Sequence, residues 1–232
     1  MSEIIPIYCG YDAREAAGYA TFCQSVLERS SMPVSFIPLH GPMLKGFDGQ
    51  KDGSNAFIYS RFLIPYLQNY RGWAIFADAS DMVCLDDIAK LWEMREQFIF
   101  NKAIAVVKHD YKTKFPRKYI GTPMEADNAD YPGKNRSSLI LWNCEHFANR
   151  RLTPEFVAES PGSFLHRFQW CAEEQIGELP QEWNALAMEH DISAASLVHF
   201  TLGSPGFNHY KHCDGADHWH RAYKKATHME NG

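Results

Sequence analysis

The sequence predicts an α/β fold, a single domain over residues 1–232 with a central mixed, mostly parallel sheet flanked by helices. Three observations predict it. The chain opens as strand, helix, strand, the pattern of parallel neighbours in one sheet. Short apolar runs that read as buried strands recur at "WAIFA", "AIAVVK" and "SSLILWN". The composition is globular, with 45% hydrophobic and 22% charged residues over 232 positions, enough for one sizeable core.

Each element has a local reason. "IIPIYCG" is a strand closed by a turn at Gly10. In "AREAAGYATFCQSVLERS", Ala17, Ala20, Phe22, Val26 and Leu27 form a helical apolar stripe, and Asp12 is placed to cap it. "PVSFIPL" is the second strand. Residues 40–55, "HGPMLKGFDGQKDGSN", are rich in glycine and read as a loop. "AFIYSRFLIPYLQNY" has helical spacing at Phe57, Ile58, Phe62 and Leu63, with Pro65 placed to kink or divide it. The strand "WAIFA" follows, then a helix from about Asp87 to Glu96. After "AIAVVK" an irregular region, roughly 109–134, leads to "SSLILWN". The last third is mixed, with a short strand at "SLVHF". Residues 1–110 and 111–210 read as two halves of the domain, and 211–232 as a C-terminal tail.

Charge and cysteine usage exclude several classes. A net charge of -5 argues against a nucleic-acid binder. The N-terminus "MSEIIPIYCG" lacks the positive region of a signal peptide, and no apolar run is long enough for a transmembrane segment. The six cysteines are scattered without a C-x-x-C pair, which reads as thiols in a reducing compartment, so a cytoplasmic location is expected. Two clusters carry less weight. "KHDYKTKFPRKY" reads as a solvated loop, or as a basic surface for an anionic acceptor. "NHYKHCDGADHWH" has zinc-like spacing but no paired cysteine ligands.

"FADASDMVCLDD" carries the chemistry. Asp78 and Asp81 end a strand built for the interior, and ligands in open α/β sheets bind beyond the carboxyl ends of strands. Two close carboxylates repel unless a positive charge sits between them, which a hard divalent cation supplies. An acidic turn leading into a helix capped by Asp87 accounts for the same residues.

The surrounding motifs favour the first reading. "SRFLIPYL…GWAIFADASDMVCLDDIAKLW" resembles the GT-A fold nucleotide-sugar glycosyltransferases, nearest the group of glycogenin and the lipooligosaccharide galactosyltransferases: a helix with an Arg, a strand, D-x-D, a short strand, then D-I-x-x-L. "NRSSLILWN" is similar to the family's N-S/A-G-V-x-x-x-N strand, "EEQIGELPQEWN" to a shortened D-Q-D…L-P-x-x-W-N, and "LVHFTLG" to its I-x-H-F-x-G segment. The aspartate motif here is one residue longer, D-A-S-D, so either Ser80 or Asp81 takes the second place; Asp81, being anionic, is the better ligand.

The resemblance implies a metal-dependent, retaining transfer of a hexose from UDP-glucose or UDP-galactose to a hydroxyl of a glycan, lipid-linked or small-molecule acceptor. It implies Mn²⁺ or Mg²⁺ on Asp78, Asp81 and His199. Donor contacts fall on Arg61, Asp78, Ser80 and Asn143, and on Tyr8, Gly10, Tyr11 and Asp12 at the end of the first strand, where the nucleoside base lies. Glu174 and Gln175 are expected to face the sugar as the catalytic pair. The alternatives are a sugar-nucleotide-binding module without turnover and a nucleotidyltransferase-like protein.

Overall fold

The computed structural model describes residues 3–40, 57–98 and 100–227. The glycine-rich segment expected to form a loop lies outside the described residues except for His40. In chain order the strands and α-helices are β1 (Ile5–Gly10), α1 (Ala16–Leu27), β2 (Val34–Leu39), α2 (Ile64–Leu67), β3 (Trp73–Ala77), β4 (Met82–Cys84), α3 (Ile88–Glu93), β5 (Ile104–Val106), β6 (Arg117–Lys118), β7 (Ala126–Asp127), β8 (Leu139–Asn143), α4 (Pro154–Glu159), α5 (Gly162–His166), β9 (Ile176–Glu178), β10 (Ala185–Leu186), β11 (Leu197–His199) and α6 (Ala216–Ala226).

Six strands form the main sheet in the order β2-β1-β3-β8-β5-β9. Neighbours are parallel except at β8, which runs antiparallel to both β3 and β5. One face packs on α1 and α3 through Ile7, Phe22, Val26, Ile75, Leu91 and Leu141. The other packs on the segments around α2, α4 and α5 through Tyr8, Phe62, Phe76, Trp142 and Trp170. A second sheet, β10-β11-β4, stands beside the first.

Local chemistry explains most boundaries. Asp12 accepts the backbone N–H of Arg14 and caps a 3₁₀ turn, Ala13–Glu15, that leads into α1. Asp87 caps α3 through the N–H of Ala89. Pro65 does not kink a helix. It sits in the first turn of α2, where its missing N–H is not needed, and a 3₁₀ turn, Ser60–Leu63, precedes it. The end of the chain differs from the expected tail: α6 packs on α1, with Trp219 and Ala222 buried against Val83, Val198 and Phe200. The apolar positions at Ala216, Trp219, Ala222 and Tyr223 repeat with helical spacing, which the surrounding histidines mask in the sequence.

Candidate active site

The D-A-S-D turn is bound from three sides. Asp78 N–H donates to the Ser138 carbonyl, Ser80 N–H to that of Asp78 at 2.7 Å, and Phe200 N–H to that of Asp81. Ala79 has φ +61°, a left-handed conformation unfavourable for a residue with a Cβ. The extra residue in the motif is absorbed there, and Asp81 is aimed back toward Asp78. Antiparallel pairing of β11 with β4 sets His199 opposite Met82, the residue after Asp81. One ligand atom from each of Asp78, Asp81 and His199 falls within 4.8 Å of the others, and among the described residues this is the one such group of three. Among the described residues the histidines of the C-terminal region form no such group.

The polar network fixes how these groups face each other. Asn184 donates its side-chain N–H to Ser138 Oγ and to the Asn135 carbonyl, which leaves its Oδ1 toward His199 Nδ1 at 2.9 Å. Nδ1 therefore carries the proton in neutral His199, and the lone pair is on Nε2. That Nε2 faces Asp81 Oδ2 at 3.3 Å. Asp81 Oδ1 is buried without a hydrogen-bond partner. Arg61 Nη1 lies 2.7 Å from Asp78 Oδ1 and donates to the Ser137 carbonyl, its guanidinium flanked by the rings of Phe57 and Phe76.

Negative charge exceeds positive around this centre. Burial pushes the Asp78 carboxyl up to about 6 against the pull of Arg61, with the Asp81 charge adding to the rise. Behind them Glu15 is pushed up to about 8, by burial and then by Asp81; its Oε2 accepts from Ser80 Oγ and its Oε1 has no hydrogen-bond partner. Two carboxylates and an imidazole lone pair with an unsatisfied oxygen fit a hard or borderline divalent cation.

Above the group is a cavity of about 120 Å³, lined by Arg61, Asp78, Asp81, Lys118, His166 and His199 among others. A larger cleft of about 660 Å³ adjoins it, sharing Ile58, Tyr131 and His166 and continuing along Tyr59, residues 158–163 and Arg167.

Four of the expected site residues lie elsewhere or have other work. Asn143 is at the far edge of the sheet. Because β8 is antiparallel, its last residue stands opposite Trp73, the first residue of β3. That is five positions from Asp78, on the order of 16 Å at the usual strand rise. There Asn143 donates to the Lys102 carbonyl, and its own carbonyl accepts from Asn149. Glu174 and Gln175 are at that same edge. They precede the first residue of β9, which is parallel to β5, and their carbonyls accept from Lys102 Nζ and from Ala103 N–H. Tyr8 is buried in the apolar core rather than at the strand end. Burial of its phenol raises the pKa to about 12.

The others lie at the carboxyl edge. Gly10 is required by packing, since a Cβ there would come within 2.4 Å of the Phe57 ring. Tyr11 meets Tyr19 and His40 edge-on, and Asp12 pairs with Arg14. Ser80 is buried, and its Oγ donates to Glu15 Oε2.

Glu15 and His166 are site residues that the sequence did not single out, and Lys118 appeared there only within the basic run "KHDYKTKFPRKY". Asn184 had a signal in the W-N pair, though not its role. Glu15 looks like an ordinary acid in the first turn of a helix. His166 ends α5, the element that approaches the cleft ahead of β9; burial, reinforced by Arg61, holds its pKa down to about 3.

The fold is that of the GT-A glycosyltransferases. The chain superposes on the bifunctional glycosyltransferase WbbM with a TM-score of 0.60 at 14% identity, covering 96% of this chain and 50% of that one, so it spans half of WbbM's length. Mouse xyloside xylosyltransferase 1 gives 0.54 at 12% identity over 85% of this chain and 97% of that one. The galactosyltransferase LgtC gives 0.54 at 11% identity over 95% and 96%. No family model matches the sequence. Protein CDI of Arabidopsis thaliana is 40% identical over 224 residues, 92% of this chain and 83% of that protein. The chain belongs to the family of Protein CDI.

Proposed function

We propose that this protein is a metal-dependent glycosyltransferase that moves a hexose from a nucleoside diphosphate sugar, UDP-glucose or UDP-galactose by resemblance, to a hydroxyl acceptor with retention. The observation that carries the proposal is the meeting of Asp78, Asp81 and His199 at the carboxyl edge of the sheet, with one carboxylate oxygen unsatisfied. These three residues would hold Mn²⁺ or Mg²⁺. When bound, such an ion neutralises a departing diphosphate as a Lewis acid.

The chain's own residues supply the rest. Asn184 holds His199 in the tautomer whose lone pair faces the aspartates, and Arg61 fixes the Asp78 carboxylate from below. Tyr11 and His40 offer aromatic faces at the end of β1 and β2 for a base. The cleft of about 660 Å³ has room for an acceptor, and His166, neutral at pH 7, stands where it joins the smaller cavity. With both cavities filled, water is kept from the anomeric carbon. A described chain without a membrane-spanning helix, together with six free cysteines, supports a cytoplasmic location.

The position of Glu174 and Gln175 favours a second reading, a sugar-nucleotide-binding module without turnover. A screen of nucleotide sugars with Mn²⁺ separates the two. Metal-dependent release of a nucleoside diphosphate supports the enzyme; donor binding without release supports the module; neither, over the whole panel, contradicts both.

A further inference from the structure

We propose that Lys118, on the β6–β7 hairpin, is the cation that grips the donor's diphosphate. The inference rests on the donor reading above and gives a role to one lysine of the basic run "KHDYKTKFPRKY". Within the hairpin, Arg117 pairs with Asp127 and Lys118 with Ala126. Neighbouring residues of a strand point to opposite faces. Arg117 turns outward, where Glu125 and Asp127 bind it at 2.9 Å and 2.8 Å. Lys118 turns inward and lines the cavity that holds Asp78, Asp81 and His199.

The hairpin is held in that place. Tyr119 is buried, takes φ +54°, and donates its N–H to the Leu202 carbonyl, three residues beyond His199. Ile120 N–H donates to the Tyr210 hydroxyl. The Lys118 ammonium lies 5.6 Å from the Tyr119 ring and has no carboxylate partner among the described residues. The other basic group lining the cavity, Arg61, is engaged by Asp78 and by the Ser137 carbonyl. Nearby Lys134 is bound by Asn128 and lies 3.7 Å from Asp130. An unpaired, half-buried ammonium beside a cation-binding cluster is complementary to a polyanion that also touches the cation. A nucleoside diphosphate has that form, and charge-assisted contacts of an ammonium to phosphate are strong.

Calorimetric titration of UDP and GDP with Mn²⁺ in excess tests this on the whole chain. Lys118→Met is expected to weaken the diphosphate that binds by about tenfold or more, and Lys118→Arg to recover most of that loss. Arg117→Met, facing away, is expected to stay within about twofold of the parent. Equal unfolding temperatures across the set tie the loss to the charge. A Lys118→Met protein that binds the diphosphate as tightly as the parent overturns the inference alone. A parent that binds neither diphosphate refutes the donor reading, and this inference with it.

Discussion

Asp81 has one oxygen 3.3 Å from His199 Nε2 and the other facing no hydrogen-bond partner. Such a group is a liability to the fold unless a cation joins it, because a buried unsatisfied charge is destabilising. Asp81→Asn is therefore expected to do two opposite things. Without metal it raises the unfolding temperature by a few degrees, about the effect of 1 kcal/mol in a chain of this size, since the amide can donate to His199 Nε2. With metal it abolishes the Mn²⁺ effect on nucleotide binding, whereas Ser80→Ala, which touches Glu15 instead, keeps it. A loss of stability together with an intact Mn²⁺ effect would assign Asp81 a structural role. Asn184→Ala removes the acceptor that fixes the His199 tautomer, and Mn²⁺ affinity is expected to fall about 10–100-fold; unchanged affinity in calorimetry counts against the network described. The carboxylates of the motif were legible in the sequence as residue types in a suggestive place. Their orienting partners were not, because Asn184 and Glu15 act across 15 and 65 residues of chain on His199 and Ser80.

Strand direction decided which expected residues reach the site. The runs "WAIFA" and "LILWN" were legible as buried strands, but an apolar run has no polarity of its own. Only the antiparallel pairing of β8 shows that Asn143 ends at the edge opposite Asp78. The same holds for Glu174 and Gln175. The segment between them and Trp183 is just long enough for β9 and the turn after it, so no helix is left to carry them back across the sheet. Glu174→Gln and Gln175→Ala are accordingly expected to leave nucleotide binding and any transfer rate within about twofold of the parent; a large fall in rate with an intact fold would contradict their placement. Helix α1 offers a stability test at this scale. A Cβ on Gly18 would come 1.8 Å from the Ser80 carbonyl oxygen, which is backbone with little room to give. Gly18→Ala is expected to destabilise by about 1–3 kcal/mol or more, read by denaturant unfolding, because α1 must move off the motif turn. A midpoint equal to the parent's would show that the turn is loosely packed.

At the scale of the molecule, one edge of the main sheet carries the two aspartates and the other is structural, and the second sheet brings His199 from the last third of the chain to aspartates of the first half. The class of fold was legible from the βαβ opening and the buried runs. The second sheet was not, since β4, β10 and β11 are two or three residues each and depend on one another. Acid sensitivity is a further property of the whole. His109 is pushed down to about 3 by burial, with the charge of His190 adding to the effect. Unfolded, it titrates near 6.5. Between those values the unfolded chain binds a proton that the folded chain refuses, so this contribution is full above about pH 6.5 and is lost as pH falls. His109→Phe is expected to flatten the fall in unfolding temperature between about pH 7 and pH 4; an identical fall would remove His109 from the account. In the proposed function, Asp78, Asp81 and His199 use a divalent cation to hold a nucleoside diphosphate. Titration of the parent with UDP, with Mn²⁺ and again with a chelator, tests it most directly. Binding is expected to be strong with Mn²⁺ and weakened about tenfold or more by the chelator. UDP binding of equal affinity in both conditions would contradict it.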